Sequence, residues 1–415
     1  MVQNCPQLLY KKSTPSLMRI YRNLAEAVVS CLQNIFTERQ LADKVIERTL
    51  RSNSKWGARD RSFIAETTYD IVRNFKFLCD CLGMKPKDIE DYYVMFGLHF
   101  RMRDIELPDW NEFKDVDWDK IIKRRTRLME IPATKYSIPN WLYELGDKEL
   151  GTEWISYLKA LHKTAPLIVR INTLKIRMAD FLNGLEEAEI EAVALTEEAV
   201  LLKKRINVFQ TAAFKNGLFE VQDVNSQAIS LYLDVQPGMR VIDACAGGGG
   251  KSLHIAALMQ NKGRIISMDV EDWKLQELRK RARRNGVAII EPKLIESSKT
   301  IKRLYNTADR VLLDVPCTGL GLLRRNPDTK WKLTMESYTK VKETQYHILS
   351  QYSKMVKIGG IIVYSTCSIL PSENEEQVQL FLRENENYKL ISEQRLLPGN
   401  NEGDGFYMAK IERKS

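Results

Sequence analysis

Residues 241–258 read VIDACAGGGGKSLHIAAL, and this stretch decides the fold. It predicts a short apolar strand, then a turn with four consecutive glycines, Gly247–Gly250, and then an apolar helix. Glycine lets backbone amides approach a ligand closely, and the N-terminus of the next helix favours a negative group. The stretch therefore predicts a site for a nucleotide-like cofactor that carries a carboxylate or a phosphate.

Two simpler interpretations compete for this glycine turn. A phosphate-binding P-loop needs glycine where Cys245 stands, so that pattern fails at one essential position. A flexible surface turn would explain the glycines, but not their place between a strand and a helix. A cofactor site is the interpretation that accounts for both.

Short apolar strands and helices alternate from Gly238 onward. The predicted strands after the glycine turn are Arg264–Met268, ending in Asp269; Val311–Leu313, ending in Asp314; and Ile361–Tyr364. A basic helix through Arg284 and an amphipathic helix from about Met335 to Met355 separate them. This alternation predicts an α/β fold with a doubly wound, Rossmann-like parallel sheet, in which ligands bind beyond the carboxyl ends of the strands.

The chain before this region divides into two further parts. Residues 15 to about 130 predict packed helices, one of which begins after Asp60 as its N-cap. A linker is predicted around Tyr136, Pro139 and Trp141. Beyond it we expect strands at Leu167–Ile171 and Ala199–Leu202 and a helix at Met178–Leu185. The predicted domains are 1–135 (helical), 136–235 (linker and small α+β substrate-recognition region) and 236–415 (Rossmann-like).

The bulk properties exclude several classes of protein. No apolar run is long enough to span a membrane, and the first residues have no signal-peptide core, so we expect a cytoplasmic protein with no membrane partner. Seven widely spaced cysteines do not form a disulfide framework, and four isolated histidines lack zinc-ligand spacing, which predicts no metal. A net charge of +9 is compatible with a polyanionic partner.

Asp269 is the second candidate for the cofactor site. An acidic residue about 20 positions after a glycine turn, at the end of the next strand, commonly accepts hydrogen bonds from ribose hydroxyls. Judged alone, Asp269 could equally be a helix N-cap. Together with the glycine turn, it favours a cofactor that contains adenosine.

Two cysteines follow two other predicted strands. The first lies in Asp314-Val315-Pro316-Cys317 and the second in Ser365-Thr366-Cys367-Ser368. Both segments are expected to emerge at the same edge of the sheet, so Cys317, Cys367 and Asp314 converge on one pocket. Each cysteine alone is more often an inert, buried small residue, but their joint placement favours a chemical role.

These motifs carry a resemblance to a known family. DACAGGGGKS, DVPCTGLG and STCS look like motifs I, IV and VI of the Sun/Fmu family of RNA (cytosine-5) methyltransferases. Further family-like elements are Arg325–Asp328, Pro166–Leu174, Gln222-Asp223 with Ser226, and Asp404–Tyr407. Gly248 stands where the family usually has proline, and Asn326 where it has histidine. Asp60-Arg61 and Tyr69–Arg73 are similar to the NusB-like RNA-binding domain of some members.

The resemblance implies an enzyme that uses S-adenosylmethionine to methylate carbon 5 of cytosine in RNA. It implies Cys367 as the nucleophile, Cys317 as the residue that assists proton removal or release, and Asp314 as a contact to the target base. Lys251 would lower a thiol pKa or contact the base. The residues expected around the cofactor are Cys245, Ala246, Gly247, Gly248, Gly249, Gly250, Lys251, Asp269, Asp314 and, as the adenine cap, Glu296.

The expected partner is RNA, with ribosomal RNA favoured, and the expected state is a monomer. Candidate phosphate contacts are two basic runs, at Lys120, Lys123, Arg124, Arg125 and Arg127, and at Lys274, Arg279, Lys280, Arg281, Arg283 and Arg284. Each run could equally be a solvated helix face. The alternatives are a transfer-RNA cytosine-5 methyltransferase, a non-catalytic RNA-binding ribosome-assembly factor on the same fold, and a DNA cytosine methyltransferase.

Overall fold

The computed structural model describes residues 19–415, which form two compact units. One unit ends at Lys148 and also includes Asn326–Lys332, and the other contains Glu149–Arg325 and Leu333–Ser415. The three domains predicted from the sequence, with boundaries at residues 135 and 235, stay a prediction.

Helices form the first unit. They are α1 (Arg22–Phe36), α2 (Ala42–Ser52), α3 (Ala58–Arg73), α4 (Phe75–Leu82), α5 (Ile89–Arg101), α6 (Asn111–Lys114), α7 (Trp118–Leu128), α8 (Pro132–Lys135) and α9 (Asn140–Leu150). The face of α1 that the sequence predicted as buried, including Val28 and Leu32, lies fully in the core. The predicted linker around Trp141 was wrong in part, because Trp141 lies in α9.

The N-cap predicted at Asp60 was also wrong. Helix α3 begins at Ala58, with Gly57 as its N-cap, so Asp60 lies in the first turn. Its Oδ2 accepts a hydrogen bond from the Gly57 N–H at 3.1 Å. Asp60 therefore caps the helix from inside the first turn, where an acidic side chain is also favoured by the helix dipole.

Two sheets lie in the second unit. The smaller has the order β2-β3-β1-β4 with antiparallel neighbours. Its strands are β1 (Leu167–Ile171), β2 (Ala192–Ala194), β3 (Ala199–Leu202) and β4 (Phe219–Val221). The predicted strands at Leu167–Ile171 and Ala199–Leu202 are confirmed.

The larger sheet has seven strands in the order β10-β11-β9-β8-β5-β6-β7. They are β5 (Arg240–Asp243), β6 (Arg264–Asp269), β7 (Ile290–Leu294), β8 (Ala308–Asp314), β9 (Val356–Thr366), β10 (Tyr388–Leu396) and β11 (Phe406–Arg413). Neighbours from β7 to β9 are parallel, which confirms the predicted α/β class, whereas β11 runs antiparallel to β9 and β10.

Both faces of this sheet are buried at its central strands. In β8, Val311 and Leu313 pack into one core cluster, whereas Leu312 packs into the cluster on the opposite face. Helices cover the two faces because strands that are apolar at every position need a partner on each side. The helices of this unit are α10 (Trp154–Leu161), α11 (Met178–Glu187), α12 (Ala212–Lys215), α13 (Val224–Tyr232), α14 (Gly250–Leu258), α15 (Asp272–Asn285), α16 (Ser298–Lys302), α18 (Met335–Tyr352) and α19 (Glu375–Glu384).

The strand order reverses between β5 and β8. From β5 the chain adds β6 and β7 on one side, and it then returns to place β8 and β9 on the other. Ligands of doubly wound sheets bind at this switch point, beyond the carboxyl ends of the strands. The glycine turn follows β5 and the Cys317 loop follows β8, so the two candidate motifs flank the switch point.

One segment of the helical unit comes from much later in the chain. Residues Asn326–Lys332 include the short helix α17 (Thr329–Lys332). Asp328 accepts a hydrogen bond from the Ala42 N–H at 3.0 Å, and the Trp331 indole donates to the Val72 carbonyl at 2.7 Å. Trp331 also packs against Phe36 and Phe75. Hydrogen bonds and aromatic packing thus build this segment into the unit.

Candidate active site

Buried side chains fix both ends of the glycine turn. Asp243 ends β5, and its Oδ2 accepts a hydrogen bond from the Ser252 hydroxyl of α14 at 2.6 Å. The Ser252 Oγ also lies 2.7 Å from the Ser267 Oγ in β6. Burial raises the pKa of Asp243 to about 7, because a charged carboxylate is poorly solvated there. The strand, the helix and the neighbouring strand are therefore joined beneath the turn.

Asp269 holds the turn from the adjacent strand. Its Oδ2 accepts a hydrogen bond from the Gly247 N–H at 2.9 Å, and its Oδ1 accepts one from the Glu271 N–H at 2.9 Å. Helix α15 begins at Asp272 with Glu271 as its N-cap, so Asp269 is not that N-cap. The structure thus brings together two residues that the sequence predicted for the same site.

The glycines of the turn are not equivalent. Gly249 has a φ of +84°, and a Cβ there would lie 2.6 Å from the Leu278 Cγ. Both facts require glycine at this position. Gly248 has no positive φ, and its carbonyl accepts a hydrogen bond from the Arg281 guanidinium at 2.8 Å. The position at which the chain departs from the family pattern is therefore held by a side chain of α15.

The residues around the turn fit a nucleoside-containing cofactor. A Cβ placed on Gly247 would meet nothing within 4 Å, which leaves open space beside the backbone. The buried Oδ1 of Asp243 has no hydrogen-bond partner among residues 19–415. Just past Asp269, Val270 and Trp273 are 64% and 62% exposed, an apolar surface suited to a purine ring.

Two other predicted cofactor residues differ in burial. Cys245 is partly buried, and burial raises the pKa of its thiol well above the usual value. Glu296, predicted as the adenine cap, follows β7 at the same edge of the sheet. Its side chain is exposed. Within the described chain no hydrogen bond positions it, so its role remains a prediction.

The two motif cysteines lie side by side. The Cys317 Sγ is 3.1 Å from the Cys367 Sγ, although the residues are 50 positions apart. The hydrogen bond to Cys367, followed by burial, raises the pKa of Cys317 well above the usual thiol value. Cys317 therefore keeps its proton beside the Cys367 sulfur, and either sulfur can be the donor in the contact between them.

The backbone also joins the two cysteine segments. The Gly321 N–H donates a hydrogen bond to the Cys367 carbonyl at 2.9 Å. A Cβ on Gly321 would lie 2.0 Å from the Gly405 oxygen and 2.8 Å from the Cys367 oxygen. The second glycine of the PCTGLG loop is thus required by a close approach of three chain segments.

Lys251 and Asp314 connect the cofactor turn to the cysteines. The Lys251 ammonium lies 2.6 Å from the Asp314 Oδ2, and the Ser365 hydroxyl donates to the Asp314 Oδ1 at 3.0 Å. Burial alone would lower the pKa of Lys251, but the Asp314 carboxylate beside it raises that pKa above its usual value. Lys251 is therefore charged, and it pairs with a carboxylate two residues before the Pro316-Cys317 peptide.

Several family-like elements meet in one buried network. Arg325 donates to Asp223 at 2.8 Å and also pairs with Asp404, while Arg324 donates to Asp404 at 2.8 Å. The Pro166 carbonyl accepts a further hydrogen bond from Arg325 at 3.3 Å. Motifs that are far apart in sequence are thus held together by two arginines and two carboxylates.

One residue of this region was missed by the sequence analysis. Glu373 is fully buried, and its carboxylate accepts hydrogen bonds from both cysteine loops. In the sequence it follows Pro371 and precedes Glu375 and Glu376, which is typical of acidic residues in the exposed first turn of a helix. No local pattern distinguishes a buried carboxylate from an exposed one.

Comparison with known proteins identifies the family. Residues 230–412 match the family model described as 16S rRNA methyltransferase RsmB/F, and residues 138–209 match the RsmF/B-like ferredoxin-like domain. A relative from Synechocystis, named probable ribosomal RNA small subunit methyltransferase B, is 30% identical over 439 residues, which cover 92% of this chain and 97% of the relative. The chain belongs to the RsmB/F family of RNA methyltransferases.

Solved structures agree with this RsmB/F assignment. The crystal structure of PH0851 has a TM-score of 0.83, is 24% identical and covers 96% of this chain and 100% of its own, which shows the same fold. A methyltransferase homolog protein from Pyrococcus horikoshii has a TM-score of 0.61, is 29% identical and covers 70% of this chain and 99% of its own.

This RsmB/F family member is an RNA methyltransferase, and its cofactor is S-adenosylmethionine. The predicted family, enzyme class and cofactor are confirmed, and a non-catalytic assembly factor is disfavoured. Between residues 19 and 415, no helix is both long and apolar enough to cross a membrane. In the same part of the chain, His, Cys, Asp and Glu form no group of three that could hold a metal ion.

Proposed function

We propose that this enzyme methylates carbon 5 of a cytosine in ribosomal RNA through a covalent bond between Cys367 and the base. The observation that carries the proposal is the 3.1 Å separation of the Cys317 and Cys367 sulfurs. The Lys251–Asp314 ion pair, with 2.6 Å between its charged atoms, lies at the same edge of the sheet. Two thiols, a cation and a carboxylate at one sheet edge match the requirements of this reaction.

The cofactor would lie against the glycine turn. Cys245, Ala246 and Gly247–Gly250 would contact it through the backbone, and Asp269 would accept hydrogen bonds from its ribose. Asp269 keeps acceptor capacity for this, because its Oδ2 accepts one protein N–H. S-adenosylmethionine supplies an electrophilic methyl group when bound.

Cys367 supplies the activation that cytosine lacks. Carbon 5 of the free base is a poor nucleophile, and addition of the Cys367 thiolate at carbon 6 makes carbon 5 electron-rich. The Cys317 thiol, 3.1 Å from the Cys367 sulfur, would donate a hydrogen bond to it during the attack. Lys251 interacts electrostatically with Cys367 as well as with Asp314.

Asp314 and Cys317 would act on the bound base. The Asp314 carboxylate, which Lys251 and Ser365 hold, would contact the polar edge of the cytosine. Once carbon 5 carries the methyl group, its proton must leave before the Cys367 sulfur can be eliminated. Cys317 would assist this step as a thiol: water takes the carbon-5 proton, the C5–H electrons re-form the C5=C6 bond as the C6–S bond breaks, and Cys317 donates its proton to the departing Cys367 sulfur.

Ribosomal RNA is proposed as the substrate rather than transfer RNA. Relatives that align with most or two thirds of this chain, from Synechocystis and Bacillus subtilis, are named probable ribosomal RNA small subunit methyltransferase B. The exposed basic face of α7, with Lys120, Lys123, Arg124 and Arg127, is the candidate RNA-binding surface of the proposed domain 1–135. Bisulfite sequencing of total RNA from cells with and without this chain would identify the cytosine.

The experiment that tests the proposal is transfer of labelled methyl groups to RNA from cells lacking the enzyme. Cys367→Ala is expected to lower the rate by at least about a thousandfold, as loss of a covalent nucleophile does. Cys79→Ala, which removes a thiol of the helical unit, is the control and should leave the rate within about twofold. Full activity of Cys367→Ala would refute the nucleophile assignment.

A further inference from the structure

The buried carboxylate of Glu373 contacts the residues that directly follow the two cysteines. Glu373 is 0% exposed and belongs to the short 3-10 helix Pro371–Glu373 that precedes α19. Its Oε1 accepts hydrogen bonds from the Thr318 and Ser368 hydroxyls, each at 2.5 Å. Its Oε2 accepts from the Thr318 N–H at 2.8 Å and from the Gln345 amide at 3.0 Å. Four donors therefore converge on one carboxyl group.

Three of these four donors come from the two cysteine loops. Thr318 directly follows Cys317, and Ser368 directly follows Cys367. Gln345, in α18, also donates to the Pro316 carbonyl at 3.0 Å, on the other side of Cys317. Glu373 thus spans the two segments through side chains, in addition to the backbone hydrogen bond between Gly321 and Cys367.

Neutral donors alone satisfy this carboxylate. In the described chain no Lys, Arg or His forms an ion pair with Glu373, so hydroxyl, backbone and amide groups hold it. A buried carboxylate without a cation is costly unless hydrogen bonds satisfy both oxygens, and here each oxygen accepts two. Such a group has one low-energy arrangement, which makes it a stiff spacer between the loops.

We infer that Glu373 is a positioning residue that sets the separation of the Cys317 and Cys367 sulfurs, acting through Thr318 and Ser368. The inference rests on the proposed function, in which Cys317 must stay beside Cys367 to release the product. If the hydrogen bonds from Glu373 to the two loops are lost, Cys367 still attacks the base, but Cys317 no longer lies within reach of the adduct. The enzyme then stalls as a covalent complex with RNA.

The test compares two substitutions of Glu373 with Cys317→Ala. Glu373→Ala removes the carboxylate that links the two cysteine loops. This variant should accumulate covalent RNA adduct, as Cys317→Ala does, and its turnover should fall by about a hundredfold. Glu373→Gln keeps the span: its amide oxygen accepts from the two N–H donors, and its NH₂ group donates to the two hydroxyls, which can rotate to accept. This variant should keep turnover within about fivefold of wild type. Both should bind S-adenosylmethionine as wild type does.

Glu376→Ala is the matched control, since Glu376 is an exposed glutamate three residues later and should change neither adduct nor turnover. If Cys317→Ala accumulates adduct and Glu373→Ala does not, the inference is overturned while the proposed function stands. Equal impairment of Glu373→Gln and Glu373→Ala would also overturn it, because charge rather than span would then matter. If no variant forms an adduct, the proposed function itself fails.

Glu373→Ala leaves buried donors unpaired, so two milder variants keep the test open if it does not fold. Thr318→Val and Ser368→Ala each remove one hydroxyl donor to Glu373 and leave the carboxylate in place. Each is expected to raise the adduct fraction above the wild-type level, and their double variant to raise it further. A double variant with the wild-type adduct fraction would refute the spacer role.

Discussion

The cofactor turn and the cysteine pair lie at the same edge of one sheet but are built in different ways. The turn consists of neighbouring residues, and its shape is set by backbone conformation and by Asp243 and Asp269 at the ends of adjacent strands. The pair joins residues 50 positions apart and depends on side chains from two further segments, those of Glu373 and Gln345. One half of the site is local, and the other is a product of the tertiary structure.

This difference predicts which substitutions should impair the cofactor turn and which should impair the cysteine pair. A local turn tolerates changes except where the backbone itself requires glycine. A pair held by a buried hydrogen-bond network should respond to changes at several positions that never touch the substrate. Lys251 belongs to both halves, because it lies at the start of α14 and pairs with Asp314 at the end of β8.

After loss of the nucleophile itself, the largest effect is expected at the Lys251–Asp314 pair. Asp314→Asn removes the carboxylate that pairs with Lys251 and contacts the base, so kcat should fall by at least about a hundredfold. Labelled methyl transfer at saturating cofactor and RNA measures it. Asp309→Asn, which changes an acidic residue near the other end of β8, is the control and should stay within about twofold. A variant at Asp314 with half the wild-type rate would show that the two halves are not coupled there.

A smaller effect is expected within the turn. Gly249→Ala forces a side chain into a φ of +84° and against Leu278, so the affinity for S-adenosylmethionine should fall at least about tenfold. Gly248→Ala meets no such backbone restriction, and the affinity should change by less than about threefold. Calorimetric titration of both variants measures the difference. Equal losses would mean that the turn is not determined by backbone conformation.

The smallest effect is a pH dependence beneath the turn. Because the pKa of Asp243 is raised to about 7, the folded protein binds a proton between about pH 4 and 7 that the unfolded chain has released. This contribution to stability is present at low pH and lost as the pH rises through 7. The asparagine side chain in the variant Asp243→Asn cannot titrate. The free energy of unfolding of this variant, relative to that of wild type, should therefore rise by about 1 kcal/mol for each pH unit between pH 5 and pH 7.

Urea unfolding of both proteins at pH 5, 6 and 7 measures this difference. The Ser252 hydroxyl can donate to the asparagine oxygen as it does to Asp243, so the variant keeps the contact. If the free energies of unfolding of the two proteins differ by the same amount at pH 5, 6 and 7, Asp243 does not hold a proton in the folded protein over this range.

The same division explains what the sequence could predict. Strands β5, β6, β8 and β9, the glycine turn and the convergence of both cysteine motifs on one edge follow from apolar runs and the rules of parallel sheets. The antiparallel hairpin of β10 and β11 was not predicted, since its partly polar residues alternate without a strong apolar run. Pairing with β9 decides its structure, and no local pattern carries that information.

Glu373 and the segment Asn326–Lys332 escaped prediction for the same reason. The buried state of Glu373 depends on donors from residues 318, 345 and 368. Likewise, Asp328 and Trp331 follow the Cys317 loop in sequence but form part of the helical unit. In both cases the partners lie far away in the chain, so the chemistry of a residue type does not reveal its environment.

The most direct test of the central claim, a covalent bond from Cys367 to the RNA base, is to look for that bond. Cys317→Ala is incubated with substrate RNA and S-adenosylmethionine, denatured and separated by gel electrophoresis. The account predicts a species of protein linked to RNA, with the linked peptide containing Cys367, and none from the Cys317→Ala/Cys367→Ala double variant. An RNA-linked species formed by Cys367→Ala, with the link at Cys317, would contradict it.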